Sequence, residues 1–190
     1  KNMKKVINFA KPIINISDVK KFVHIYRSGQ LAHGKNNLKF EEKFSKLNKI
    51  NYAITVSSCT AGLMLSYKTL GLKKNDEIII PALTHVATAH SAFHLGLKIK
   101  FADVNEDGNI DPDEIKKLIS KKTKAICVVH FIGIPCDMKK ILEIAKKNKL
   151  KIIEDCAIAL GSKINNKFVG TFGDFSSFSF YPSKHITTSE

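Results

Sequence analysis

From residue 52 to residue 155 the chain alternates short apolar runs, rich in Ile and Val, with stretches whose apolar residues recur every three or four positions. This alternation constrains the fold more than any other feature. Short β-rich runs separated by helical stretches cannot pair as hairpins. Each helix carries the chain back to the start of the next strand, so the strands lie parallel and the helices cover the sheet. The runs at 52–56, 77–80, 98–104, 124–129 and 151–154 read as strands, the first of them buried. A helix through Leu63, Met64, Tyr67 and Leu70 closes at Gly71. Another spans 84–94 and ends at Gly96. A third begins at Pro112 after an Asp111 cap, and a fourth spans 137–148. The expectation is an α/β domain with a mostly parallel central sheet flanked by helices. Ligands then bind beyond the carboxyl ends of the strands.

Flanking segments follow other rules. Ser17 is the expected cap of a first helix that carries Val19, Phe22, Val23 and Tyr26 on one face and stops at Gly29. A glycine-bracketed loop, 29–34, precedes a second helix with Phe40, Phe44 and Leu47 on one face. After Gly161, the Asn165-Asn166 pair predicts a β-hairpin turn. The run 176–181 alternates aromatic and hydroxyl residues like a short strand and breaks at Pro182. No internal repeat, linker or low-complexity segment interrupts the pattern.

Composition narrows the function classes. With 190 residues and 44% hydrophobic content, the chain supports one full-sized core, assigned to residues 1–190 with a helical segment over 1–50 that packs against or extends from it. No stretch is long and apolar enough to span a membrane, and no apolar run follows the basic N-terminus, so neither a membrane segment nor a secretory signal is expected. The net charge of +14 suggests nucleic acid, but its distribution argues against that partner. The lysines are scattered as pairs along helical stretches, and Arg27 is the only arginine. Cys59, Cys127, Cys136 and Cys156 have no paired metal-binding spacing and lie in or beside apolar segments. They read as buried, reduced thiols of a cytoplasmic protein, with no metal site.

Three strand ends carry polar residues that an apolar core does not select. Ser58-Cys59-Thr60-Ala61 joins a strand to a helix: small residues, helix-start amides and a hydroxyl suit an anion, and equally suit a plain helix cap. Asp155 ends the run 151–155, as a carboxylate for a cationic ring nitrogen or as a cap for the next turn. Lys184 stands apart from the Lys-Lys pairs, after the aromatic run, where an amine can be desolvated and made nucleophilic; alternatively it is an ordinary surface lysine. Taken in order, an anion cup, a carboxylate and a lysine match the needs of pyridoxal phosphate.

The chain resembles the DegT/DnrJ/EryC1/StrS family of sugar aminotransferases from about residue 7 to 190. The resemblance is carried by Arg27-Ser28-Gly29-Gln30-Leu31 with Gly34, by Ala53-Ile54-Thr55-Val56-Ser57-Ser58-Cys59-Thr60-Ala61, and by Pro81-Ala82-Leu83-Thr84-His85-Val86-Ala87-Thr88-Ala89. It continues through Val129-His130-Phe131-Ile132-Gly133-Ile134-Pro135-Cys136-Asp137-Met138, Ile153-Glu154-Asp155-Cys156-Ala157 and Phe178-Ser179-Phe180-Tyr181-Pro182-Ser183-Lys184. It implies the large domain of a fold type I pyridoxal-phosphate enzyme. Lys184 would form the internal aldimine and move the α-proton. Asp155 would hold the pyridinium nitrogen, Thr60, Ala61 and Ser179 the phosphate, and His85 would stack on the ring. The implied reaction moves an amino group, from glutamate, to a keto group of a nucleotide-linked sugar. The implied assembly is a homodimer with a shared active site.

Some positions depart from the family pattern. Ile158 stands where Gln or His usually approaches the cofactor's ring hydroxyl, and an apolar group cannot hydrogen-bond that oxygen. Cys59 and Ser189 replace small or glycine residues. Family members continue past the lysine into a small C-terminal domain that is absent from this chain. Two other readings remain open: a sugar dehydratase on the same fold, where the family places His instead of the lysine, and a non-catalytic fragment or degenerate paralogue.

Overall fold

The computed structural model describes residues 10–188; Ser189, one of the departures above, lies outside them, as does the Lys4-Lys5 pair. The described residues divide into two compact units, residues 56–179 and residues 10–55 with 180–188.

Residues 56–179 hold the sheet. Five parallel strands, β1 (Glu77–Pro81), β2 (Lys98–Ala102), β3 (Thr123–Val129), β4 (Lys151–Asp155) and β7 (Phe175–Ser177), lie in the order β2-β1-β3-β4-β7. A separate hairpin pairs β5 (Lys163–Ile164) with β6 (Lys167–Phe168), and Asn165 and Asn166 make its turn at φ +47° and +64°. The helices are α3 (Cys59–Thr69), α4 (Val86–Phe93), α5 (Pro112–Leu118) and α6 (Met138–Asn148). α4 links β1 to β2 on one side. α5 then carries the chain back across β1 to β3, so the direction of winding reverses between β1 and β3.

Strand alternation sorts the core into two layers. Ile78, Ile80, Ala125, Cys127 and Ile153 pack with Leu63 and Tyr67 of α3 and Ala92 of α4. Ile79, Ile126, Val128 and Ile152 pack with Ile115 of α5 and Met138, Ile141 and Ile144 of α6. The same period of two fixes the ends of β4: Asp155 shares the α3/α4 face with Ile153, and Glu154 shares the α5/α6 face with Ile152.

Local chemistry sets the element ends. Asp111 accepts the N–H of Asp113, with Pro112 at the first helical position, as expected. Asp137 caps α6 by accepting the N–H of Lys140. Gly71 and Gly96 follow α3 and α4 with φ of +76° and +71°, a conformation glycine adopts without the penalty of a Cβ.

In the other unit, α1 (Ile16–Arg27) begins at Asn15, where Ser17 was expected to cap it. The Asn15 N–H donates to Asp18 Oδ2 at 3.0 Å, and an acid fits that reciprocal role only three residues after the cap. α2 (Lys35–Asn48) turns Phe40 and Phe44 onto Phe180, at ring separations of 5.0 and 6.2 Å, while Leu47 is exposed. The expected buried strand at 52–56 is neither buried nor a strand. Tyr52 is 85% and Ile54 80% exposed, and the Thr55 N–H and hydroxyl both donate to Glu41 Oε1 at 2.7 Å. β-propensity cannot make a ladder without a partner strand, and here a helix carboxylate takes the backbone donor instead.

Candidate active site

β4 delivers Asp155 to its carboxyl end, where the residue is 4% exposed. Oδ2 accepts the Thr88 hydroxyl at 2.8 Å, and Oδ1 accepts the Ala157 N–H at 3.1 Å. The second bond is the local turn that the capping alternative foresaw; the first comes from α4 and has no local explanation. Tyr67, Cys127 and Cys156 lie close by, and burial pushes each of them well above its ordinary pKa. They are neutral at physiological pH, so they add no charge beside the carboxylate.

The start of α3 is held against the same region. Ser58 caps it, accepting the Ala61 N–H at 3.1 Å. The Ser91 hydroxyl, from α4, donates to Thr60 O at 3.0 Å, and the Ser177 hydroxyl, from β7, donates to Cys59 O at 3.0 Å. Gly62 permits the approach, because a Cβ there would collide with Ser177 Oγ. Thr60, Ala61 and Asp155 therefore share one end of one unit. Ser179 lies two residues past the end of β7, half-buried. The ladder between β4 and β7 closes at the Asp155–Ser177 pair, so the strand expected at 176–181 stops at Ser177.

His85 is the N-cap of α4. Its Nδ1 accepts the Ala87 N–H at 3.2 Å, which leaves the proton of the neutral ring on Nε2. The ring is exposed, one turn from Thr88. Lys184 belongs to the other unit, where it is half-buried and closes a turn by donating its N–H to Tyr181 O at 2.8 Å, with Pro182 at the second position.

On the opposite face of β4, Glu154 is fully buried. Oε1 accepts the N–H groups of Phe172 and Gly173, and Oε2 accepts those of Gly170 and, at 3.0 Å, His130 Nε2. His130 Nδ1 accepts the Cys136 N–H, so Nε2 carries the ring proton. Burial pushes the Glu154 carboxyl up, but His130 and the Gly173 and Gly170 amides outweigh it and hold it below its ordinary value. Cys156 completes a group of potential metal ligands, but the Glu154 acceptors are already taken by N–H donors. Three thiols are buried, and Cys136 is pushed up to about 12; Cys59, at the start of α3, is half-buried instead of buried. No disulfide joins the four.

Sequence reasoning missed Thr88, Ser91 and Ser177. The available signal was three hydroxyls on otherwise apolar, inward-facing positions; all three are buried.

The chain matches the model of the DegT/DnrJ/EryC1/StrS aminotransferase family over residues 12–190. It is 47% identical to the GDP-perosamine synthase of Escherichia coli O157:H7 over 153 residues, 80% of this chain and 42% of that protein. Its structure resembles Helicobacter pylori PseC, an aminotransferase involved in pseudaminic acid biosynthesis, with a TM-score of 0.94 and 34% identity over 98% of this chain and 51% of that one. It also resembles Escherichia coli GDP-4-keto-6-deoxy-D-mannose-3-dehydratase with bound hydrated pyridoxal phosphate, with a TM-score of 0.91 and 31% identity over 98% of this chain and 50% of that one. The chain spans about half the length of the curated relatives it matches.

Proposed function

Because this chain belongs to the DegT/DnrJ/EryC1/StrS aminotransferase family, we propose that the protein is a pyridoxal-phosphate-dependent aminotransferase acting on a nucleotide-linked keto-sugar, with glutamate as amino donor. Residues 1–190 are assigned to its cofactor-binding large domain. The observation that carries the reading is the buried Asp155 carboxylate at the carboxyl end of β4, held by donors on both oxygens and facing the helix layer that contains the start of α3. An anion in that environment suits a protonated ring nitrogen. A helix start built from Thr60 and Ala61 suits a phosphate.

When bound, pyridoxal phosphate supplies a carbonyl that takes up the amino group and a ring that withdraws electrons from the adjacent carbon. The chain's residues do the rest. Asp155 keeps the ring nitrogen protonated. Thr60, Ala61 and Ser179 bind and orient the phosphate, and His85 presents its ring to the cofactor face. Lys184 would supply the amine that holds the cofactor; once free, it would act as the base that removes the α-proton of the amino donor in the first half-reaction and as the acid that protonates the sugar carbon gaining nitrogen in the second. Ile158 offers no hydrogen bond to the ring hydroxyl.

The protein is further assigned to the cytoplasm, where its four thiols stay reduced. No helix among the described residues is long and apolar enough to cross a membrane. A homodimer is proposed, in which a second copy covers exposed Leu65, Val86 and Phe93 and adds residues to the site. No nucleic-acid partner is proposed.

The likeness to a dehydratase supports a second reading on the same fold. Lys184 favours the transaminase, because the dehydratase branch has His at that position. Incubating the full-length protein with a nucleotide 4-keto-sugar, glutamate and pyridoxal phosphate decides between them. The transaminase reading requires an amino sugar and 2-oxoglutarate. A deoxy keto-sugar product overturns it.

A further inference from the structure

Thr88 lies on the buried face of α4 and is 0% exposed. Its hydroxyl carries one proton, and the 2.8 Å contact to Asp155 Oδ2 spends it on the carboxylate. In the 2.9 Å contact between Thr84 Oγ1 and Thr88 Oγ1, Thr84 must then be the donor. The result is a directed chain, Thr84 to Thr88 to Asp155. Its two threonines flank His85, whose carbonyl accepts the Thr88 N–H at 3.1 Å. The Ala157 N–H reaches the other carboxylate oxygen from the turn after β4. Donors on both oxygens, one from a helix and one from a turn, fix the carboxylate plane and favour its ionised form.

We propose that Thr88 is a positioning residue, which orients Asp155 and keeps it ionised toward the cofactor's ring nitrogen, and which ties that carboxylate to the turn that carries His85. The proposal rests on the reading of Asp155 given above. The titratable groups around the carboxylate fit this role: Tyr67 and Cys59 on α3, Cys127 on β3 and the neighbouring Cys156. Tyr67, Cys127 and Cys156 are protonated and uncharged at neutral pH, so they place no charge beside the carboxylate.

The test uses T88V, which removes the donor, and T88S, which keeps it, in the full-length protein. In cofactor-free protein, the carboxyl carbon resonance of Asp155 is followed by NMR against pH. Its midpoint should rise in T88V and return to the wild-type value in T88S. The pyridoxal phosphate dissociation constant should rise roughly tenfold in T88V, about 1.4 kcal/mol, and stay within about twofold of wild type in T88S. A folded T88V with an unmoved Asp155 midpoint overturns the proposal, and so does an unchanged cofactor affinity where the wild type binds. If the wild type does not bind pyridoxal phosphate while T88V moves the midpoint, the reading of the site fails and the Thr88–Asp155 link stands. Should T88V not fold, T84V withdraws the donor one step earlier and must move the midpoint in the same direction; no movement overturns the proposal.

Discussion

Adding one methyl group at Gly62 probes the seam that holds the start of α3. The new Cβ would overlap Ser177 Oγ, while lying 3.4 Å from Ser177 Cβ and 3.5 Å from Val56 Cγ2, both ordinary contacts. The conflict is therefore with one hydroxyl, which must rotate away and give up its 3.0 Å bond to Cys59 O. Overpacking costs about 1–3 kcal/mol and the lost bond about 1 kcal/mol. Alanine in place of glycine inside a helix returns about 1 kcal/mol. Gly62→Ala should thus destabilise by about 2 kcal/mol, and Ser177→Ala, which only loses the bond, by about 1 kcal/mol. In the double variant the overlap disappears and the helix gain remains, so its stability should return to within about 1 kcal/mol of wild type. Urea unfolding of the four proteins, with slopes compared as well as midpoints, measures the cycle. Additive losses, with the double variant the least stable, would refute the account of this seam.

Other parts of the molecule give independent tests. Ile132 is held at φ +45°, ψ +30°, a left-handed conformation that strains a β-branched residue, and its side chain is 63% exposed. Ile132→Asn should therefore stabilise by about 1 kcal/mol in urea unfolding. The Lys100 ammonium at 2.8 Å, with the Ser120 hydroxyl, lowers the Glu77 pKa from its ordinary 4.5 to about 2. A lowered folded-state value means that its contribution is complete above pH 4.5 and is lost as pH falls toward 2, so Glu77→Gln should flatten the stability profile in that window. Glu154→Gln turns an amide NH2 toward N–H donors in a fully buried site. It should cost about 3 kcal/mol, seen as a lower urea midpoint, whereas the exposed Glu42→Gln should leave the urea midpoint unchanged.

The sheet was legible because its determinants are local. Apolar strand runs, the Asp111-Pro112 helix start, the Asn165-Asn166 turn and the glycines at 71 and 96 each act within a few residues. The segment 52–56 shows the limit. Its residues favour a strand, but a strand exists only with a partner, and the Thr55 backbone donor is taken by Glu41, 14 positions away in sequence. The first helix start was misplaced for a smaller reason: both Asn15 and Ser17 can cap, and the placement of Asp18 selects Asn15. In the candidate site, Asp155 and Thr60 stood out as polar groups at strand and helix ends. Thr88 did not, because a threonine among Ala87, Ala89 and Ala92 looks like helix core until β4 brings in a carboxylate from 67 positions away. Strand order supplies that meeting, and no local pattern encodes it.

Whether the protein takes up pyridoxal phosphate on Lys184, as proposed, is the most direct question to put to it. The full-length protein is incubated with pyridoxal phosphate, the linkage is fixed with borohydride, and the labelled peptide is located by mass spectrometry. The account predicts label on Lys184 and on no member of the Lys-Lys pairs, with the visible absorption band and the label both lost in Lys184→Ala. Label on a different lysine, or an undiminished band in Lys184→Ala, would contradict it.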